Sequence, residues 1–210
     1  MAIINSVIVS GGAPAPSGKY QLLQRVTDDN NDEIGTVCCF HTDANNVEYA
    51  VVCLDAQHRI TNGVFCSDAS NNIPNLEMTT IANGLDSIVT ATQNTTAIID
   101  YITANNYTST AATHCRSKSF VIDGVTYYGQ LPTWAEITKM FLYRTSIDSL
   151  DPTATQYAAC ALGGANNTGA WSSTGYGIPS SIGMPPQGFS PYLSKTTPRI
   201  IIPILELPNA

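Results

Sequence analysis

The chain has 210 residues, a length that suits one domain or one domain with an appendage. Hydrophobic residues make up 43% of it, enough for a core, whereas charged residues make up only 12%, about half of the usual fraction. The net charge of −7 and the lack of any Lys/Arg cluster argue against nucleic acid as a partner. No apolar run approaches the roughly 20 residues that span a bilayer, so we expect no membrane insertion.

Residues 1–30 have the composition of an N-terminal appendage, and residues 31–210 that of a folded domain. A short strand is predicted from Ile3 to Val9, and residues 11–18 have the Gly/Pro-rich composition of a linker. The residues expected to anchor this segment on a larger body are Ile3, Ile4, Val7, Ile8 and Val9. The alternative is a terminus without fixed structure. No basic stretch precedes a long apolar one, so we expect no secretory signal and synthesis in a cytoplasm.

Two β-rich runs, Thr36 to His41 and Glu48 to Leu54, are separated by a turn-rich loop and predict a β-hairpin. Cys38 and Cys39 are adjacent in the first run, so strand alternation predicts that they face opposite sides. The six cysteines contain no CxxC pair and no zinc-spaced cluster with histidine. We therefore expect buried, reduced thiols and no metal site.

Helical patterns dominate the middle of the chain. Ala82 to Thr92 is a weak candidate, Asn94 or Thr95 is expected to cap a second helix that ends at Asn105-Asn106, and Thr108 to Ser119 predicts a third. After these, the dipeptide Asp123-Gly124 between two short apolar runs predicts a second hairpin.

The clearest helix start is at Thr133. Its hydroxyl can accept from the first turn, and Glu136 three residues later can reach back to the Thr133 N–H, which makes a capping box. Glu136 is therefore interpreted as a cap rather than as a general acid. One helical stripe, expected to face the core, consists of Trp134, Ile137, Met140 and Phe141.

Beyond Asp148 the pattern is mostly that of loops. Strands are predicted for Tyr157 to Leu162, Ala170 to Thr174 and Ile200 to Leu207. Pro203 within the last run favours an edge or a bulge. The segment from Gly175 to Pro198 is rich in Gly, Pro and Ser and predicts one long loop.

The sequence offers no convincing catalytic set, so we expect no enzyme, no catalytic residue and no cofactor. His114 and Cys115 are neighbours on a predicted helix and point about 100° apart, which prevents a nucleophile–base contact. Asp100, Asp148 and Asp151 are available carboxylates, but no spacing pairs them.

The order of several short motifs resembles the Lcl C-terminal and Fibrobacter succinogenes major paralogous type of domain, a branch of the C-type-lectin-like fold. The motifs are the early hairpin, Asn94–Ile99, Ala111–Arg116, Gln130–Ile137, Ala170–Thr174 and Pro198–Pro203. The resemblance covers roughly residues 35–207. The chain departs from the family at Ile137-Thr138, where a leucine is usual, and in the long loop after Gly175. The calcium-binding triplets of true C-type lectins are absent, so a calcium-dependent sugar site is not carried over.

The resemblance implies an α+β fold with two main helices on a mostly antiparallel sheet, the N-terminal hairpin lying close to the closing strand. Together with the anchor-like N-terminus it suggests a bacteriophage virion protein, similar to the head fibres or decoration proteins of crAss-like phages. The implied partners are two further copies in a homotrimer, a capsid protein that receives the N-terminus, and host surface polysaccharide. The alternatives are a bacterial surface or secreted binding module and a receptor-binding tail fibre.

Aromatic residues among Gly, Ser and Asn resemble the composition of antibody paratopes and predict a recognition surface for a receptor or glycan. Its expected members are Tyr176, Phe189, Tyr192, Asn166 and Asn167. The alternative is that Tyr176 and Tyr192 fill the core, the role expected of Trp171.

Overall fold

The computed structural model describes residues 18–68, 73–74, 76, 89–162, 170–176, 180–184, 190–193 and 195–210. Within these ranges the chain forms four α-helices and eleven strands, and almost all strand pairs are antiparallel. The predicted α+β class is therefore confirmed. None of the helices in the described ranges is both long and apolar enough to cross a membrane.

The first sheet has four strands in the order β1 (Arg25–Thr27), β2 (Glu33–Thr42), β3 (Glu48–Leu54) and β11 (Ile204–Pro208). The predicted N-terminal hairpin is the β2–β3 pair. β11 pairs antiparallel with β3, with Leu205 opposite Val52. The expected closeness of this hairpin to the closing strand is confirmed.

Strand β1 lies before residue 30 and is part of this sheet. It pairs with β2, and Arg25 makes a bidentate ion pair of 2.6 and 2.7 Å with the buried carboxylate of Asp55. Tyr20 and Val26 are buried in the same apolar cluster. The predicted boundary near residue 30 thus falls between two paired strands, β1 and β2.

The second sheet has five strands: β4 (Ile60–Gly63), β10 (Arg199–Ile201), β7 (Ala170–Tyr176), β8 (Ser180–Met184) and β9 (Ser190–Leu193). β10 pairs parallel with β7 and antiparallel with β4. The prediction of one long loop after Gly175 is wrong, because strands β8 and β9 lie within that segment.

The predicted closing strand from Ile200 to Leu207 is in fact two strands that belong to different sheets. Ile202 and Pro203 separate β10 from β11. Proline has no N–H to donate to a sheet ladder, so the chain leaves one sheet at this point and enters the other.

The helices are α1 (Ala91–Asn105), α2 (Thr110–Arg116), α3 (Trp134–Leu142) and α4 (Arg144–Leu150). α1 begins at Thr90, which forms a capping box with Gln93. The predicted cap at Asn94 or Thr95 is wrong. The weak helix candidate from Ala82 lies mostly outside the described residues. The helix end is confirmed, since Asn106 takes the left-handed conformation, with φ of 56°.

The capping box at the start of α3 is confirmed in both directions. The Glu136 carboxylate accepts from Thr133 N–H at 2.6 Å, and Thr133 Oγ1 accepts from Glu136 N–H at 3.3 Å. Of the predicted core stripe, Ile137, Met140 and Phe141 are buried, but Trp134 is only half-buried. Trp134 is the first helical residue, where fewer neighbouring turns surround a side chain.

The second predicted hairpin is confirmed as β5 (Ser119–Ile122) and β6 (Val125–Tyr128). Asp123 and Gly124 have φ of 52° and 74°, as the tight turn requires. Both residues donate their backbone N–H to the carboxylate of Asp29 at 2.8 Å, which fixes the hairpin tip against the first sheet.

All six cysteines are buried free thiols. The prediction that Cys38 and Cys39 face opposite sides is wrong. The register between β2 and β3 shifts between Val37 and Cys39, and both thiols join one core cluster with their sulfurs 4.0 Å apart. A bulge of this kind interrupts the alternation of side chains.

The predicted strand from Tyr157 to Leu162 is also wrong. The chain there forms a single 3-10 turn, Ala158–Cys160, whose position is set by distant residues rather than by strand pairing. Trp171 takes the core role expected of it and is completely buried, with its indole N–H donating to Gly63 O at 3.0 Å.

Candidate functional site

A surface groove of about 610 Å³ lies beside the edge strand β4. Its three walls are β4, the 3-10 turn Ala158–Cys160 with the residues before it, and the start of α2. The lining residues are Arg59, Ile60, Thr61, Asn62, Thr110, Gln156, Tyr157, Ala158, Ala159 and Cys160. We call this feature the β4 groove.

The floor of the β4 groove is organised by Arg59, which is almost completely buried. Its Nε donates to Leu54 O at 2.9 Å, and Nη1 donates to Cys160 O at 3.0 Å. The second bond joins the β4 wall directly to the 3-10 wall, although the two residues are 101 positions apart.

Two carboxylates neutralise this guanidinium. Asp151 lies 3.5 Å from Nη2 with no side-chain exposure, and Asp148 lies 3.7 Å from Nη1. Asp151 also accepts from Ala56 N–H at 2.7 Å and from the hydroxyl of Thr153 at 2.7 Å. The end of α4 is thereby fixed to the segment that precedes β4.

The α2 wall is held by two further contacts. Ala111 N–H donates to Val64 O at 3.0 Å, just after β4. His114 Nε2 lies 2.7 Å from His58 O and acts as the donor to that carbonyl. Burial lowers the pKa of both imidazoles, His114 and His58, which favours the neutral form of each ring.

The polar groups of the β4 groove are mostly uncharged. Its exposed polar groups are hydroxyls and carboxamides, and its one cation is engaged by carbonyls and carboxylates below the surface. Burial raises the pKa of the Cys160 thiol, so the thiolate that a nucleophile requires is disfavoured. Among the described residues, no three His, Cys, Asp or Glu side chains are grouped to hold a metal ion.

A second polar cluster lies in the core, away from the groove. The carboxylate of Glu206 on β11 accepts from the N–H groups of Ala91 and Thr92 at 2.8 and 2.9 Å, and thus caps the start of α1. The pKa of the Glu136 carboxyl is raised well above its ordinary value, first by burial and second by repulsion from the nearby Glu206. One oxygen of Glu136 has no hydrogen-bond partner, and a neutral carboxyl makes that arrangement less costly.

The residues predicted to form a recognition surface fall partly inside the described ranges. Tyr176 is the last residue of β7 and Tyr192 lies in β9, and β8 pairs with both strands. The backbone register therefore places the two positions two strands apart in one sheet. Phe189, Asn166 and Asn167 lie outside the described residues, as do the five predicted anchoring residues, Ile3, Ile4, Val7, Ile8 and Val9.

Sequence reasoning missed the β4 groove altogether. Its floor is held by contacts between residues about a hundred positions apart, such as Arg59 and Cys160, and no local sequence spacing predicts such contacts. The sequence offers one indication, Arg59 itself, because the whole chain has only nine Lys and Arg residues. Comparisons with protein-family models, with curated proteins and with solved structures give no match for this chain.

Proposed function

We propose that this chain is a structural virion protein of a bacteriophage, a head fibre or capsid decoration. The N-terminal segment that contains Ile3 to Val9 anchors it to the particle or to two further copies, and a C-type-lectin-like domain faces outward. The protein is made in the host cytoplasm and becomes part of the virion.

The observation that carries the proposal is a polar clasp at the point where the described fold begins. Tyr20 N–H donates to Asn209 Oδ1 at 2.8 Å, and Asn209 Nδ2 donates to the carboxylate of Glu48 at 2.6 Å. A side chain at Gly18 would collide with the amide of Asn209. The clasp fixes Gly18 and Tyr20 at one end of the first sheet.

The predicted anchor is joined to this fixed point through the linker composition of residues 11–18. The anchoring segment contributes Ile3, Ile4, Val7, Ile8 and Val9, and the linker that follows has no means of burying them by itself. Burying one aliphatic side chain contributes roughly 1.5–3 kcal/mol, so several of them strongly favour association. Three copies around one axis give each segment a partner in a closed, cyclic assembly.

The composition of the domain also supports an exposed position on a particle. Only 12% of the residues are charged, so its polar surface consists largely of Ser, Thr, Asn and Gln. The arrangement of helices on two mostly antiparallel sheets, with the closing strand beside the early hairpin, is compatible with a lectin-like fold. Fold alone does not determine function, so the anchor provides the sharper test.

The test compares the full chain with a chain that begins at Gly18. A start at Asn31 would remove β1 and Tyr20 and would damage the fold itself. Light scattering gives the mass of each species, and co-sedimentation with particles of the encoding phage measures attachment. We expect the full chain to be trimeric or particle-bound and the shorter chain to be monomeric, with an unchanged melting temperature.

Two matched variants distinguish the loss of an apolar anchoring side chain from the gain of a negative charge. Ile8→Asp and Ser6→Asp each add one carboxylate to the same segment, but only the first removes an apolar anchor. Ile8→Asp should release the chain from its partners, whereas Ser6→Asp should not. The proposal fails if both full and shortened chains are monomers that do not sediment with particles, or if both associate equally.

A further inference from the structure

We propose that the β4 groove is a binding site for a neutral saccharide, independent of metal ions and separate from the strand positions of Tyr176 and Tyr192. The biological source of that saccharide, the surface of a host cell, rests on the proposed function. The binding chemistry itself rests only on the groove.

The charge of the groove selects the class of ligand. Arg59 is the one ionised residue in its lining, and that guanidinium is buried and faces Asp148 and Asp151 on the inner side. No carboxylate lines the groove, so a calcium ion, which requires several oxygen ligands and usually carboxylates, has no ligand set there. A ligand with a strong charge of either sign would lose its hydration without gaining an ionic partner.

The hydrogen-bonding groups of the lining match a polyhydroxyl compound. Thr61 and Thr110 contribute hydroxyls, and Asn62 and Gln156 contribute carboxamides, all on exposed positions. A hydroxyl and a carboxamide each donate and accept, as the hydroxyl groups of a sugar do. Such a set satisfies ligand hydroxyls in several orientations without any formal charge.

Tyr157 supplies the apolar surface that a sugar ring needs. Tyr157 is 39% exposed and lines the groove together with Ala158 and Ala159. A tyrosine ring offers an apolar face with a polar tip, so the C–H face of a pyranose can pack on the ring while the hydroxyls meet polar groups. Tyr143 has a nearly identical exposure of 37% but does not line the groove.

The walls of the β4 groove are held in place by contacts within the protein itself, without a ligand. The Arg59–Cys160 bond holds the 3-10 wall, and the contacts from Ala111 and His114 hold the α2 wall. Preorganisation of this kind lowers the conformational entropy that binding would otherwise cost. The volume of about 610 Å³ lies in the usual range for small-molecule sites.

An extended peptide added to the open edge of β4 is the competing occupant, and the edge is poorly suited to it. β4 has only four residues, and its register with β10 shifts between Arg199 and Ile201. Short, irregular edges are poor templates for a further strand. The observations therefore favour the saccharide, and peptide capture is one outcome of the test.

The experiment uses the full chain on an immobilised array of neutral hexose and N-acetylhexosamine oligosaccharides, with sialylated and uronic-acid oligosaccharides beside them. We expect binding to neutral members that persists in EDTA. Tyr157→Ala should weaken binding by about ten-fold or more, equivalent to about 1.4 kcal/mol, and Tyr143→Ala should leave it unchanged. Gln156→Ala, which removes a carboxamide without touching the floor, should also weaken it.

Several outcomes would overturn the inference. They are no binding to any neutral oligosaccharide, binding confined to charged ones, loss of binding in EDTA, equal effects of Tyr157→Ala and Tyr143→Ala, or capture of extended peptides in place of sugars. A melting curve on each variant verifies folding. If the array shows no binding but the chain attaches normally to particles, the saccharide proposal is refuted and the virion proposal is not. If the array shows the expected binding but the chain does not attach to particles, the virion proposal is refuted and the saccharide proposal is not.

Discussion

Replacing Arg59 with methionine tests whether the buried ion network holds the β4 groove together. The change keeps the length and apolar volume of the stem but removes the guanidinium. The variant loses the bonds to Leu54 O and Cys160 O, and it leaves the carboxylate of Asp151 buried without its cation.

The magnitude follows from these contacts. Each hydrogen bond from a charged donor contributes roughly 1.5–3 kcal/mol, and breaking a buried ion pair by removing one partner costs about 3–5 kcal/mol. These terms overlap, because they describe the same side chain. Asp151 also keeps its bonds from Ala56 N–H and Thr153. We therefore expect a loss of about 3 kcal/mol in the free energy of unfolding, at the low end of that range.

Urea denaturation at neutral pH measures this loss, with Arg144→Met as the control. Arg144 is exposed, so water screens its bond to Phe141 O at 2.8 Å, and its replacement should cost no more than about 1 kcal/mol. Adding Asp151→Asn to the Arg59→Met variant removes the uncompensated charge and should restore about 1–2 kcal/mol. A loss below about 1 kcal/mol for Arg59→Met would show that water reaches the network and would refute the reasoning.

Three further predictions concern the core. Trp171→Ala should destabilise by about 3–5 kcal/mol because the ring is fully buried, whereas Trp134→Ala should cost clearly less because that ring is half-buried; equal shifts in thermal unfolding would contradict the difference. Burial and Glu206 raise the pKa of Glu136, so the folded state holds this proton more tightly than the unfolded state does. The native chain should therefore lose stability as pH rises from about 4.3 through the raised value, and Glu136→Gln should remove that loss. Denaturant curves at acidic and alkaline pH measure the effect, and a pH-independent difference between the two proteins would disprove it. Finally, the six buried cysteines should all react with a thiol reagent after denaturation without reductant and hardly at all before it, and fewer than six would indicate a disulfide.

Local signals predicted the parts of the fold that depend on local chemistry. The capping box at Thr133 and the turn at Asp123-Gly124 are set by residues a few positions apart, and both form as expected. The start of α1 was misplaced because Asn94 and Thr95 resemble caps but serve tertiary contacts. Asn94 Nδ2 donates to Ser173 at 3.4 Å, and Thr95 Oγ1 accepts from Leu131 N–H at 2.9 Å.

The candidate site depends on long-range contacts and was therefore not predictable. Nothing near Arg59 in the sequence indicates that it meets Cys160 and Asp151 about a hundred residues later. Likewise, the split of the closing strand at Pro203 depends on which sheet each half can join. Composition still gave a useful expectation, since the scarcity of charge in the chain is reflected in the β4 groove, whose lining has Arg59 as its one ionised residue.

The most direct test of the virion proposal is quantitative peptide mass spectrometry on gradient-purified phage particles from a culture that produces this chain. The virion proposal predicts that its peptides co-purify with the major capsid protein at a constant ratio through every fraction. They should be lost from particles when the encoded chain begins at Gly18. Peptides found only in the soluble lysate, with none at a fixed ratio in the particles, would contradict the claim.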